Sequence, residues 1–237
     1  MIILAVDTSA KVSSAAVADE DHILAEFSIH TALTHSQTLM PMIDHLLHTA
    51  SLTISDIDGF AAACGPGSFT GLRIGIGAVK GMAFGTQKSC AGISTLEGLA
   101  FNLLGMEGIL CTAMDARCGQ VYTALFEGFP DHIQRLTDDM AISIDELAEN
   151  LLKYQKNIFF VGDGANLCYN KLSKQLPNCF LAAENNRFQR AGSVALAARS
   201  VFESGQAVSA AELSPAYLRL PQAERELKKK LADTKTL

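Results

Sequence analysis

The sequence predicts an α/β chain of two related lobes. Three observations carry this reading. Short apolar segments spaced as a strand meander open each half, the apolar spacing then becomes helical, and an aspartate follows the first strand of each half, Asp7 in one and Asp115 in the other. At 237 residues the chain is long enough for one large domain or two small ones.

Residues 2–6, 12–17 and 23–29 read as three antiparallel strands, separated by the turn Asp7-Thr8-Ser9 and the acidic turn Asp19-Glu20-Asp21. From Ser36 to Ala50 the period is helical, with Leu39, Ile43, Leu46, Leu47 and Ala50 on one face and Pro41 in the first turn or at a kink. A strand at 59–63 leads through a loop at 64–71 into a glycine-rich helix at 72–85, followed by a short strand at 89–93 and a helix at 94–104. The second half begins in the same way, with strands at 108–114 and 120–126 flanking Asp115-Ala116-Arg117-Cys118-Gly119. A helix at 144–154, a strand at 158–161 ending in Gly162-Asp163-Gly164, and a helix at 193–204 follow. The division expected is a first lobe at 1–107, a second at 108–221 and a solvated tail at 222–237, with a site between the lobes.

Composition narrows the function classes. The chain is 49% hydrophobic and 19% charged with a mean hydropathy of +0.20, which excludes a disordered polymer. Residues 1–107 carry 4 Lys or Arg against 10 Asp or Glu, so this half will not hold a phosphate backbone unaided; only residues 222–237, with 5 basic and 3 acidic side chains, are basic. Arg73 and Lys80 interrupt the best apolar stretch, so no membrane helix is expected, and the apolar start is too short for a secretory signal. The six cysteines form no C-x-x-C pair and read as buried, reduced thiols of a cytoplasmic protein.

Of 18 glycines, seven lie between Gly65 and Gly85. A glycine-rich loop before a helix offers free N–H groups to an anion, but this one lacks the Lys-Ser/Thr ending of a P-loop and equally suits a tight turn. In the helix that follows, Leu72, Ile76, Val79 and Ala83 make one apolar face, while Gly77, Gly81 and Gly85, joined by Ile74 and Ala78, make a second face of small residues bordered by Arg73 and Lys80. Interior glycines cost about 1 kcal/mol each relative to alanine. That second face is either buried within the chain or built for close approach of another subunit, and we favour the subunit. His30, His35, His45 and His48 cluster without an H-E-x-x-H pattern and read as solvated or capping side chains rather than metal ligands. Asp7 and Asp115 would suit magnesium or a ribose hydroxyl at a cleft mouth, or could be ordinary turn residues.

Several segments together resemble one family. ILAVDTS at 3–9, His35-Ser36, GPGSFTGLRIG at 65–75, MDARCGQVY at 114–122 and PAYLR at 215–219 match in order and spacing the bacterial tRNA threonylcarbamoyladenosine biosynthesis family called TsaB or YeaZ. The resemblance implies an actin/sugar-kinase/Hsp70-like (ASKHA, ribonuclease-H-like) fold with a reduced second lobe. It implies a non-catalytic scaffold or activating subunit that pairs with the paralogue TsaD and with TsaE, forms a homodimer without TsaD, and leaves most tRNA contact to its partners. TsaD-like proteins carry metal on an H-x-E-G-H segment. Here that stretch is Thr95-Leu96-Glu97-Gly98-Leu99, so no catalytic or metal residue is expected, and ATP and a metal are expected on the partner subunits. The resemblance also implies a partner interface on helices 36–50 and 71–86, formed by Leu39, Met42, Ile43, Leu46, Arg73, Ile74, Gly77, Ala78, Lys80, Gly81 and Phe84. Asp7, Thr8, Ser9, Gly65, Gly67 and Asp115 are the candidate nucleotide-binding residues. The alternative is an enzyme, either a superfamily ATPase or a zinc-dependent glycoprotease-like peptidase.

Overall fold

A computed structural model describes residues 1–219, arranged around two sheets; the tail expected at 222–237 lies outside the described residues. The first half contains β1 (Ile3–Asp7), β2 (Ser13–Ala18), β3 (Ile23–Ile29), α1 (His35–Thr49), β4 (Gly59–Gly65), α2 (Phe69–Thr86), β5 (Ser89–Ser94) and α3 (Thr95–Phe101). The second contains β6 (Gly108–Asp115), β7 (Gln120–Gly128), β8 (Ile133–Arg135), β9 (Met140–Ser143), α4 (Ile144–Leu151), β10 (Ile158–Val161), α5 (Ala165–Leu172), β11 (Cys179–Leu181), α6 (Glu184–Arg187) and α7 (Ala191–Glu203). Beyond the expected elements stand β8, β9, α5, β11 and α6. Pro41 sits in the second turn of α1, not the first.

The duplication suggested by the two aspartates is a duplication of topology. The first sheet runs β3-β2-β1-β4-β5 and the second β8-β7-β6-β10-β11, with β9 pairing on β7. In each, the first strand is antiparallel to the second and parallel to the strand that follows the first helix. The second copy is the smaller: α5 has 8 residues against 18 in α2, and β11 has 3 against 6 in β5.

Strands covered on both faces read as continuous apolar runs, and their period of two divides the side chains between two cores. Leu4, Val6, Phe60 and Ala62 face α1 and α2, while Ile3, Ala5, Ala61 and Ala63 face α7. In the second sheet Ile109, Cys111 and Phe160 face α4 and α5, while Leu110, Met114 and Phe126 meet Leu96, Leu99 and Leu103 from α3 and the turn after it. The last helix of each half therefore covers the sheet of the other half. This corrects the expected division at its far end: α7, placed within 108–221, packs on the first sheet. Fully burying a leucine contributes about 1.5–3 kcal/mol, so the three leucines around α3 hold the lobes together strongly.

Five of the six cysteines are buried as expected. Cys118 is exposed, because the β6–β7 turn places it outside both cores.

Candidate partner face and interlobe cleft

A cleft of about 680 Å³ opens between the lobes, bounded by the β1–β2 turn, the start of α2 and the β6–β7 turn. The two aspartates make the same local turn. Asp7 Oδ1 accepts the Ser9 N–H at 2.8 Å and the Ser9 hydroxyl at 2.6 Å, and Asp115 Oδ1 accepts the Arg117 N–H at 2.7 Å. Their surroundings differ. Asp115 is exposed, whereas Asp7 is 2% exposed and burial pushes its carboxyl up to about 6, against the lowering effect of the Ser9 hydrogen bonds. Asp163, also lining the cleft, is raised by burial.

The glycine loop serves close packing. The Thr8 hydroxyl donates to the Gly71 carbonyl at 2.8 Å, and the Ser68 N–H donates to the Ser9 carbonyl at 2.7 Å. A Cβ on Gly67 would lie 2.5 Å from the Ser9 oxygen, and one on Gly71 would lie 2.0 Å from the Thr8 oxygen. Gly65, at φ +126°, lies under Ala216, whose carbonyl oxygen would be 2.3 Å from an added Cβ. The anion-cradle reading is thereby corrected for Asp7, Thr8 and Gly65. Asp7, Thr8 and Gly65 are buried in packing, whereas Ser9, Gly67 and Asp115 line the cleft, Asp115 exposed and Gly67 half-buried against the Ser9 carbonyl. The three buried residues do not fit a phosphate grip, because they are used in packing.

Residues 206–219 return over the first lobe. Val208 exchanges backbone hydrogen bonds with Cys90, Leu213 enters the core, and the Ala216 N–H donates to the Cys64 carbonyl at 2.7 Å. Lys80 Nζ donates to the Ala211 and Leu213 carbonyls, and Arg73 Nε donates to the Tyr217 hydroxyl at 3.0 Å. Both cations at the border of the small-residue face are thus held by the chain's own last segment. Arg73 stays exposed and Lys80 half-buried beside the small-residue face.

The α1 assignments are corrected as well. Leu39, Met42, Ile43 and Leu46 are buried among Leu4, Val17 and Phe60, so the periodicity that aligned them marks the core face. The outward side of α1 carries Met40, 49% exposed, with Pro41, Asp44, His45 and His48. Helical spacing opposite the buried stripe could have found these residues. On α2, Leu72, Ile76, Val79 and Ala83 are buried as expected, and Gly77, Gly81 and Gly85 have nothing within 4 Å of an added Cβ. Beside them Phe84 is 80% exposed and Ile74 and Ala78 are half-buried. Among the histidines, His35 is half-buried with Nε2 2.7 Å from the Ala10 carbonyl oxygen, and His30, His45 and His48 are exposed.

The family model described as "TsaD: tRNA N6-adenosine threonylcarbamoyltransferase" matches residues 23–227. The tRNA threonylcarbamoyladenosine biosynthesis protein TsaB of Escherichia coli is 30% identical over 238 residues, covering 96% of this chain and 98% of that one. The chain belongs to the TsaB family. The structure of YeaZ from Pseudomonas aeruginosa superposes with a TM-score of 0.79 at 27% identity, covering 92% of this chain and 99% of that one. Component A of (R)-2-hydroxyglutaryl-CoA dehydratase from Acidaminococcus fermentans, at a TM-score of 0.50 and 11% identity over 83% of this chain and 97% of that one, shares the fold alone. The TsaB-family chain thus has the two-lobed ASKHA-type fold. In it Thr95 and Leu99 are buried, Leu99 in the core between the lobes, and Glu97 pairs with Arg135 at 3.2 Å. Among the described residues no helix is long and apolar enough to cross a membrane.

Proposed function

We propose that this TsaB-family chain is a non-catalytic scaffold and activating subunit of tRNA threonylcarbamoyladenosine synthesis in the cytoplasm. It works with a TsaD-type transferase and a TsaE-type ATPase, which supply the metal and the ATP. The observation that carries this reading is α3: the two positions that resemblance aligns with TsaD metal ligands hold Thr95 and Leu99, and both are used in packing. The outward faces of α1 and α2, with Met40, Ile74, Gly77, Ala78, Gly81 and Phe84, supply a close-approach surface for TsaD, or for a second copy of this chain when TsaD is absent. Direct tRNA contact falls mainly to the partners, in keeping with 4 basic against 10 acidic side chains in residues 1–107. Reconstitution tests the proposal: tRNA modification by TsaD and TsaE should require this chain, while the purified chain alone should show no turnover of threonylcarbamoyl-adenylate. Turnover by the single protein, or full modification without it, would overturn the reading.

A further inference from the structure

The PAYLR segment at 215–219 and the MDARCGQVY segment at 114–122 meet at the cleft mouth, and the family reading assigns that contact no task. Arg219 donates from Nη1 to the Ala116 carbonyl at 3.2 Å and from Nη2 to Gln120 Oε1 at 2.5 Å, and its guanidinium stands 5.4 Å from the centre of the Tyr122 ring. All three partners belong to the β6–β7 hairpin of the second lobe. Two residues back, Tyr217 stacks on Phe69 with ring centres 4.9 Å apart and accepts from Arg73, and the Arg73 guanidinium lies 4.0 Å from the Phe69 ring centre. These anchors are on α2 of the first lobe. The same few residues therefore grip both walls of the cleft.

We infer that residues 206–219 form a latch: anchored on α2 through Tyr217 and Lys80, it uses Arg219 as a pin that holds the β6–β7 hairpin and sets the opening of the interlobe cleft. The chemistry suits a releasable contact. Arg219 is half-buried and its partners are neutral oxygens, so a competing anion or solvent can take the guanidinium without leaving a buried charge unpaired. The anchor side is firmer, because Leu213 is buried and Lys80 holds two carbonyls. Release at Arg219 would free the hairpin while the rest of the strap stays on the first lobe, with the leucine contacts of α3 as the hinge.

The hairpin carries its own reporters. The Ala116 N–H donates to the Gln120 carbonyl, the Gln120 N–H donates to the Arg117 carbonyl, and Cys118 is the exposed cysteine. In Arg219→Ala, amide exchange at Ala116 and Gln120 should rise about tenfold, the worth of one charge-assisted hydrogen bond, with core amides of β1 and β4 unchanged. A probe pair at Cys118 and at an introduced Thr70→Cys should show a longer or broader interlobe distance in the same variant, and Arg219→Lys should restore it in part. Gln120→Ala, which leaves the strap intact, should raise hairpin exchange in the same direction. Unchanged exchange and distance in Arg219→Ala, or a rise spread equally through β1 and β4, would overturn the latch. None of these readouts needs TsaD, so the latch can fail while the scaffold reading stands, and the converse also holds.

Discussion

Thr8 and Gly71 fix the join between the first strand and the second helix: the Thr8 hydroxyl donates to the Gly71 carbonyl, and the Thr8 carbonyl oxygen stands where a Cβ on residue 71 would be, 2.0 Å away. One helix therefore contains two kinds of glycine. Gly71→Ala should destabilise the fold by about 1–3 kcal/mol, since backbone must shift to admit the methyl group. Gly77→Ala, with open space around it, should stabilise by about 1 kcal/mol through helix propensity. Thermal unfolding of the two variants checks this, and a fall in melting temperature for both would contradict it.

Asp7 makes stability depend on pH. Its carboxyl is raised from 3.8 to about 6 by burial, so the folded state holds the proton more tightly than the unfolded chain does. The contribution is full below pH 3.8, is lost as pH rises through about 6, and stays lost above it. Asp7→Asn retains an acceptor for Ser9 and removes this loss, so it should be more stable than the parent at pH 7.5 by up to about 3 kcal/mol. The advantage should shrink toward pH 4. Denaturant titrations across this range are the measurement, and a constant difference would refute the assignment.

Replacement of Gly81 by leucine, or of Phe84 by aspartate, should weaken association with TsaD by about tenfold or more while leaving the melting temperature within a few degrees. Both positions lie outside the core. Sedimentation of mixtures reads the effect; unchanged association in both variants would move the partner surface away from α2.

Leu99→Ala opens a cavity between α3 and the second sheet and should cost about 2–5 kcal/mol. Because that contact joins the lobes, both should unfold in one transition in the parent and at a lower temperature in the variant. Separate transitions for the two lobes would count against the exchanged helices.

Where a residue's role depends on its own neighbours along the chain, the sequence was informative. The apolar runs at 2–6 and 12–17 and the stripe Leu72, Ile76, Val79, Ala83 led, within a residue, to β1, β2 and the buried side of α2. Of the five elements that escaped notice, β8 and β11 with 3 residues each and β9 and α6 with 4 are too short to show a period, while α5, with 8, buries only Ala165, Cys168 and Leu172 and so shows a weak stripe. Every residue of the cleft's glycine loop was found, but its role was not legible. The Ser68 N–H is taken by the Ser9 carbonyl and Gly65 is covered by Ala216, and both of these partners lie far away in sequence. The same holds for Arg73 and Lys80, whose partners are more than a hundred residues later. For α1 the signal was present: an apolar stripe on an amphipathic helix marks the core, and the outward Met40 lies opposite it.

The exchange of α3 and α7 has a consequence for synthesis. All five strands of the first sheet are complete by Ser94, yet the helix that covers Ala5, Ala61 and Ala91 begins at Ala191. At translation rates of about 5–20 residues per second, that face waits on the order of 5–20 seconds on the ribosome without its cover. A nascent chain stalled after residue 107 should therefore present an uncovered sheet to chaperones, and one released after residue 203 should not.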